Sequence, residues 1–349
     1  MKREYEAEVV SGLEDMVERE IRTALGRPAR LLGRPADGRV AFQLDEALSR
    51  CDGLRLANAV HLVDRFDVPR PRALLGHEHM TRLISSLRAL IDLGPKDAFQ
   101  TFRVSAAGVE SAAFTRLRGE LARELGLEPV EERAHLLVSV RRPPDGSDGW
   151  QVLTRTTPMP LSARSWRVCD YPGALNATVA HAMAQFTRPV AEQRYLNLAC
   201  GSATLLIERL MLGPASQALG VDAADEALRC AQQNLWAAGF NSDVEVVKGD
   251  ITSVGLPDGS VNAVVGDLPY GMLSRVPESI QGLYESSMAE ATRVTTHGGR
   301  MVVITARKKL FRTAMGQVGS EWVEEREITI KIPFKSGFLT PSIWVFRRQ

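Results

Sequence analysis

The chain has 349 residues, 44% apolar and 24% charged, with 43 Lys and Arg against 42 Asp and Glu and a formal net charge of +1. That length predicts two or three domains with ample core, and the near-zero charge excludes binding to nucleic acid by bulk electrostatics alone. No apolar run reaches the roughly 20 residues that a membrane-spanning helix needs. Four cysteines, at 51, 169, 200 and 230, form no CxxC pair and no Cys/His cluster, which predicts reduced thiols and no metal site. The charged start, Met1-Lys2-Arg3-Glu4-Tyr5-Glu6, has no signal-peptide pattern, so a cytoplasmic location is expected.

Residues 5–10 read as a strand. Leu13, Met16, Val17 and Ile21 then make the apolar face of a helix whose first turns carry Glu14, Asp15 and Glu18. Leu32 and the run 39–44 read as further strands, and Asp45 is placed to cap a helix running through Leu48. This strand–helix–strand–strand–helix rhythm predicts a ferredoxin-like α+β domain over 1–70. Over 71–165 the pattern predicts helices at 80–91 and 113–125 and strands at 99–104, 135–140 and 150–155, the last two joined by a Pro/Gly-rich turn.

From 166 onward strands and helices alternate, which predicts a parallel, doubly wound sheet. The chain ends in an antiparallel hairpin of 327–332 and 342–346. Tyr195-Leu196-Asn197-Leu198-Ala199-Cys200-Gly201-Ser202-Ala203-Thr204 reads as a strand, a small-residue turn and a helix start, where backbone can approach a ligand closely. A plain crossover connection explains it equally well. The next strand ends at Asp222, 21 residues after Gly201, close to the roughly 20-residue spacing at which a carboxylate meets a ribose diol. The alternative is a helix cap, a role that suits Asp225 better than Asp222. A third strand leads to Gly249-Asp250-Ile251, where the carboxylate can accept from an adenine amino group and Ile251 can pack on the ring. A fourth ends in Asp267-Leu268-Pro269-Tyr270-Gly271, a turn whose carboxylate, carbonyl and aromatic ring suit a flat, amino-bearing group. Parallel strands present their carboxyl ends together, so Asn197, Asp222, Asp250 and Asp267 are expected around one crevice. The absence of G-x-G-x-x-G disfavours a nucleotide-dependent dehydrogenase.

Asp267-Leu268-Pro269-Tyr270 resembles motif IV, (Asp/Asn)-x-Pro-(Tyr/Phe), of the S-adenosylmethionine-dependent amino-methyltransferases. The run from Asn197 to Glu208 resembles the first motif of the RNA guanine-N2 methyltransferases that carry a THUMP domain, and Pro172-Gly173-Ala174-Leu175-Asn176-Ala177-Thr178 resembles the segment before it. Two positions depart from that pattern: Asn197 stands where the family has aspartate, and Ala203 where it has glycine.

The resemblance implies an α/β fold: a Rossmann-like methyltransferase domain over 166–349, with a mostly parallel sheet and a carboxyl-terminal antiparallel hairpin. Ferredoxin-like (1–70) and THUMP-like (71–165) domains would precede it. It implies S-adenosylmethionine as cofactor, held by Asn197, Ala199, Gly201, Ala203, Thr204, Asp222, Asp250, Ile251 and Asp267. It implies methyl transfer to the exocyclic N2 of a guanosine in RNA, tRNA first, with Asp267, Pro269 and Tyr270 catalytic. RNA contacts would come from Asn176, Arg103, Arg141 and Arg142, with Arg116 and Arg118 as further candidates and Trp166 as either core anchor or base platform. A monomer with no obligate protein partner and no membrane contact is expected. Two alternatives stay open: an RNA-binding protein whose cofactor pocket has decayed, and an amino-methyltransferase for rRNA, DNA adenine or protein glutamine.

Overall fold

The structure, a computed structural model, describes residues 2–44, 48–270, 280–334 and 337–349, and the chain forms two compact units, Met1–Ala163 and Arg164–Gln349. Asp45, expected as a helix cap, lies outside the described residues, as does Gly271 of the 267–271 turn.

The first unit holds strands β1 (Arg3–Val9), β2 (Ala29–Gly33), β3 (Arg39–Leu44), β4 (Ala57–Phe66), β5 (Thr101–Ala106), β6 (Glu128–Pro129), β7 (Leu136–Arg141) and β8 (Trp150–Arg155). Its helices are α1 (Glu14–Glu20), α2 (His77–Leu93) and α3 (Ala112–Leu125). All eight strands join one sheet in the order β2-β3-β1-β4-β8-β7-β5-β6. Strands from both expected amino-terminal blocks therefore share a sheet, because β4 pairs with β1 along one side and β8 along the other. Alternation could not reveal β4, since residues on both of its faces are buried. Even its His61 is buried, which pushes the imidazole down to about 3 and keeps it neutral.

The second unit holds β9 (Arg194–Leu198), β10 (Gln217–Asp222), β11 (Glu245–Lys248), β12 (Val261–Asp267), β13 (Thr295–Thr305), β14 (Trp322–Thr329), β15 (Ile332–Phe334), β16 (Gly337–Leu339) and β17 (Ser342–Arg348). Between them run α4 (Ala177–Phe186), α5 (Thr204–Leu210), α6 (Asp225–Ala238), α7 (Ile280–Val294) and α8 (Lys308–Val318). The sheet order is β11-β10-β9-β12-β13-β17-β14. From β11 to β13 every pairing is parallel, whereas β17 runs antiparallel to both neighbours. Parallel strands need long crossovers, and α5, α6, α7 and α8 supply them. Leu196, Leu198, Val264, Met288, Met301, Val303, Phe311 and Trp344 form the core on one face, with the Phe311 and Trp344 rings 4.5 Å apart. The expected terminal hairpin is the β14–β17 pair, and a second small hairpin, β15–β16, is inserted between its strands.

One expectation fails outright. Cys169 and Cys230 form a disulfide with their Cα atoms 5.4 Å apart, and only Cys51 and Cys200 are free thiols. The two lie 61 positions apart, so spacing gives no hint that the segment before α4 lies against α6.

Candidate active site

Strand order reverses at β9: the chain moves outward through β10 and β11 on one side, then returns through β12 and β13 on the other. Ligands in open α/β sheets bind at this switch point, outside the carboxyl ends of the strands. Asn197 near the end of β9, Asp222 ending β10, Asp250 just after β11 and Asp267 ending β12 lie on four adjacent parallel strands and share that edge.

The turn after β9 is held in an unusual backbone shape. Ala199, Gly201 and Ala203 all have positive φ (48°, 54° and 67°), and each alanine costs roughly 1–2 kcal/mol in that region. A Cβ built on Gly201 would meet no atom within 4 Å, so open space adjoins the turn there. Gly220 of β10 has the opposite reason to be glycine: a Cβ would come 2.7 Å from Leu206 of α5 and 3.0 Å from Cys200.

Asp222 organises this turn. Its Oδ2 accepts from the Gly201 amide at 2.8 Å and its Oδ1 from the Ala224 amide at 3.0 Å, leaving lone pairs on both oxygens. Asp225 is not the cap expected of it: it is the first helical residue of α6 and pairs with Lys248 at 2.8 Å. Asn197 is fully buried. Its Nδ2 donates to the carbonyls of Leu198 (3.1 Å) and Val265 (3.4 Å), tying β9 to β12, while Oδ1 is buried with no partner. Thr204 opens α5, and its hydroxyl accepts from Arg167 Nη2 at 3.0 Å. Asp250 is exposed and accepts from the Thr252 amide at 2.8 Å, whereas Ile251 packs into the core beside Leu198 and Val221.

The turn after β12 is tied from several directions. Tyr270 Oη donates to Asp267 Oδ1 at 3.0 Å, and Arg307 Nε donates to the Tyr270 carbonyl at 2.8 Å. Tyr284 Oη, from α7, donates to the Pro269 carbonyl at 3.0 Å and lies 2.6 Å from Thr305 Oγ1. Part of the Asp267 residue meets solvent, but its carboxyl lies deep, and burial pushes it up to about 7 against the pull of the Tyr270 hydroxyl. Burial, and then the same carboxylate, push the Tyr270 phenol up.

The remaining candidate residues scatter. Asn176 caps α4, its Oδ1 accepting from the Thr178 amide at 2.8 Å. Arg141 is committed to buried Glu6 and to Gln151, Arg142 stacks over Trp150 at 4.7 Å, and Arg118 pairs with Glu131 at 3.3 Å. Arg103 and Arg116 are exposed. Trp166 is buried, so of its two readings the core anchor holds. Sequence reasoning missed Tyr284, Thr305, Arg307 and Arg167, since each comes from an element remote in sequence and none stands out by spacing. A cavity of about 270 Å³ lies between α8 and the outer strands, lined by Phe311, Met315, Trp322 and Trp344 among others, and none of the residues named above for the site lines it. Among the described residues no His/Cys/Asp/Glu cluster could hold a metal ion.

Comparison with known proteins places this unit. Residues 164–335 match the family described as RMKL-like, methyltransferase domain. The chain is 23% identical to the tRNA (guanine(6)-N2)-methyltransferase of Archaeoglobus fulgidus over 98% of its own length and 91% of that protein's. It is 31% identical over 146 residues to the mouse U6 snRNA (guanine-N(2))-methyltransferase THUMPD2. That match spans 42% of this chain but only 26% of the mouse protein, and the match to the bovine counterpart spans 40% of its length. TrmN from Thermus thermophilus superposes with a TM-score of 0.74 at 22% identity over all of both chains. SMU.472, solved in complex with SAH, superposes with a TM-score of 0.68 at 16% identity. Residues 164–335 are thus similar to the RMKL-like methyltransferase domain family.

Proposed function

We propose that the protein is an S-adenosylmethionine-dependent methyltransferase acting on the N2 of a guanosine in RNA, tRNA above other RNAs, in the cytoplasm. The observation that carries this reading is the Asp267-Leu268-Pro269-Tyr270 turn at the carboxyl end of β12, beside the switch point and braced by Tyr284 and Arg307. The relatives named as guanine-N2 methyltransferases of tRNA and of U6 snRNA support it.

The residues present fit the cofactor. Orphaned Asn197 Oδ1 is a buried acceptor suited to the methionine ammonium, and the open space at Gly201 admits a ligand against the turn. Asp222 keeps lone pairs for a ribose diol, and Asp250 keeps acceptor capacity for an adenine amino group. Bound there, S-adenosylmethionine supplies an electrophilic methyl group on sulfonium sulfur.

The guanine amino nitrogen is a poor nucleophile because its lone pair is delocalised into the ring. Asp267 Oδ2 and the second lone pair of the Pro269 carbonyl can accept its two N–H groups, which localises the lone pair and orients it. Tyr270 and Tyr284 hold those two acceptors still, so the cost of ordering them is met by the fold before substrate arrives. Ionised, Asp267 offsets the positive charge that develops on nitrogen as the bond to carbon forms. A carboxyl set near 7 can then take up the departing proton. The target base must leave any helical stack to reach this turn. The first unit, with the THUMP-like reading of its second block, would hold the RNA, and exposed Arg103 and Arg116 are its best candidates for phosphate contact.

Tritiated methyl transfer into tRNA transcripts, followed by nucleoside analysis, tests the proposal. N2-methylguanosine is the expected product. Label appearing only in DNA or protein would refute the substrate class, and no cofactor binding at millimolar concentration would favour the decayed-pocket reading.

A further inference from the structure

β13, β12 and β9 are mutually parallel, and β14 and β13 both run antiparallel to β17. The carboxyl end of β14 therefore lies on the same sheet edge as Asp267, and the β15–β16 hairpin, inserted after it, springs from the ligand edge. At roughly 4.8 Å per strand, its root lies about 10–14 Å along that edge from β12.

The hairpin has two unlike faces. Ile332, Phe334 and Leu339 are half-buried, whereas Pro333 and Phe338 pair directly across the strands and are both exposed, Phe338 to 71%. A proline–phenylalanine pair in water is a flat apolar plate turned to solvent. Two cations lie between the hairpin root and the 267–270 turn. Arg307 donates through Nε to the Tyr270 carbonyl, and Lys308 Nζ reaches Thr329 at the hairpin root at 3.0 Å. Lys309 follows in sequence, exposed, and among the described residues no carboxylate pairs with any of the three.

We propose that this strip binds the RNA strand flanking the target nucleotide: Phe338 with Pro333 stacks an unpaired base, and Arg307, Lys308 and Lys309 follow its phosphates. The inference rests on the RNA reading above. Unstacked bases on an aromatic side chain, with a cationic track for the backbone, are the two ingredients of single-stranded RNA recognition. A plate on the catalytic edge would also hold the flanking base away from the target and favour its extrusion.

The test measures binding of a pool of unmodified tRNA transcripts by filter binding across a salt series, alongside S-adenosylmethionine binding by calorimetry, for the full chain. Phe338→Ala should weaken tRNA binding about tenfold, raise KM for tRNA more than it lowers kcat, and leave cofactor binding unchanged; Phe338→Trp should restore affinity. Lys309→Ala should lower the slope of log K against log salt by about 0.7–0.9. Phe338→Ala within twofold of wild type, or a Phe338→Trp variant as weak as Phe338→Ala, would overturn the platform while leaving the enzyme's function standing. A wild-type chain that binds cofactor but no RNA would sink both.

Discussion

Replacing Asp267 with Asn separates chemistry from stability. The amide keeps the shape of the carboxylate and an oxygen for the Tyr270 hydroxyl, 3.0 Å away, so the turn should hold. It removes a titration that burial has displaced from 3.8 to about 7. In the folded protein the neutral carboxyl is favoured, so its stability advantage is full below pH about 4 and is lost as the pH climbs to 7. About 3 pH units at roughly 1.4 kcal/mol each gives about 4 kcal/mol, and partial solvent contact trims this to about 2–4 kcal/mol of strain in the ionised native state. Asp267→Asn is therefore expected to be more stable than wild type above pH 7. The gap should grow by about 2 kcal/mol between pH 5 and 7 and then stay flat. For a unit of this size that is a difference of roughly 4–8 °C in Tm, readable by calorimetry on the full chain.

The same variant should lose methyl transfer by about 100-fold or more, because an amide cannot offset charge on the attacking nitrogen or take its proton. Cofactor binding should survive. Wild-type single-turnover rates should rise with pH through about 7 and level off, following ionisation of Asp267. An Asp267→Asn enzyme with near wild-type turnover, or one with no pH-dependent stability gain, would refute the reasoning that a buried, ionisable carboxyl does this work.

Tyr284→Phe removes the hydroxyl that braces the Pro269 carbonyl; kcat should fall about tenfold with KM for the cofactor unchanged, and stability by about 1 kcal/mol, read from kinetics and melting. Asp222→Ala should weaken S-adenosylmethionine binding about 10- to 100-fold in calorimetry, because two amides and a ribose diol lose one charged acceptor. Thiol titration in denaturant should find two free thiols before reduction and four after, and reduction should destabilise the second unit by about 4 kcal/mol, the loop-entropy value for a 61-residue separation. Arg141→Ala should destabilise the first unit by about 1–3 kcal/mol, since buried Glu6 is left with only Arg39 at 3.6 Å, while tRNA affinity stays within twofold. Arg103→Ala should do the reverse, weakening tRNA binding in the filter assay with no change in Tm.

The topology of the second unit was legible because parallel strands write themselves as apolar runs closed by small or acidic turns, and four such closures fell on one edge. The β14–β17 pairing followed from its two alternating runs. Sequence could not show β4, whose residues are buried on both faces. Nor could it show the Cys169–Cys230 contact, or the braces from Tyr284, Arg307 and Arg167, each of which depends on two segments meeting in space. The candidate arginines show the same limit. Arg141 and Arg142 look like a basic patch in a turn, yet one answers a buried glutamate 135 residues away and the other lies on a tryptophan ring.

Asn197 and Ala203, the two departures from the family pattern, bear on whether the pocket works or has decayed. A carboxylate at 197 would point acceptors at the Leu198 and Val265 carbonyls; the amide instead donates to both and still offers one oxygen. The substitution thus moves the pinning of β9 to β12 onto the side chain while keeping an acceptor for a ligand's ammonium. Leaving that oxygen buried and unpaired costs about 1–3 kcal/mol, and holding Ala199 and Ala203 at positive φ costs roughly 1–2 kcal/mol each. An apolar residue at 197 would relieve the first cost but forfeit both carbonyl contacts, whereas glycine at 203 would relieve the second with nothing lost. Calorimetry separates the two roles of Asn197: Asn197→Leu should weaken S-adenosylmethionine binding if Oδ1 meets the ligand's ammonium, and should leave it unchanged if the amide serves only to pin β9 to β12.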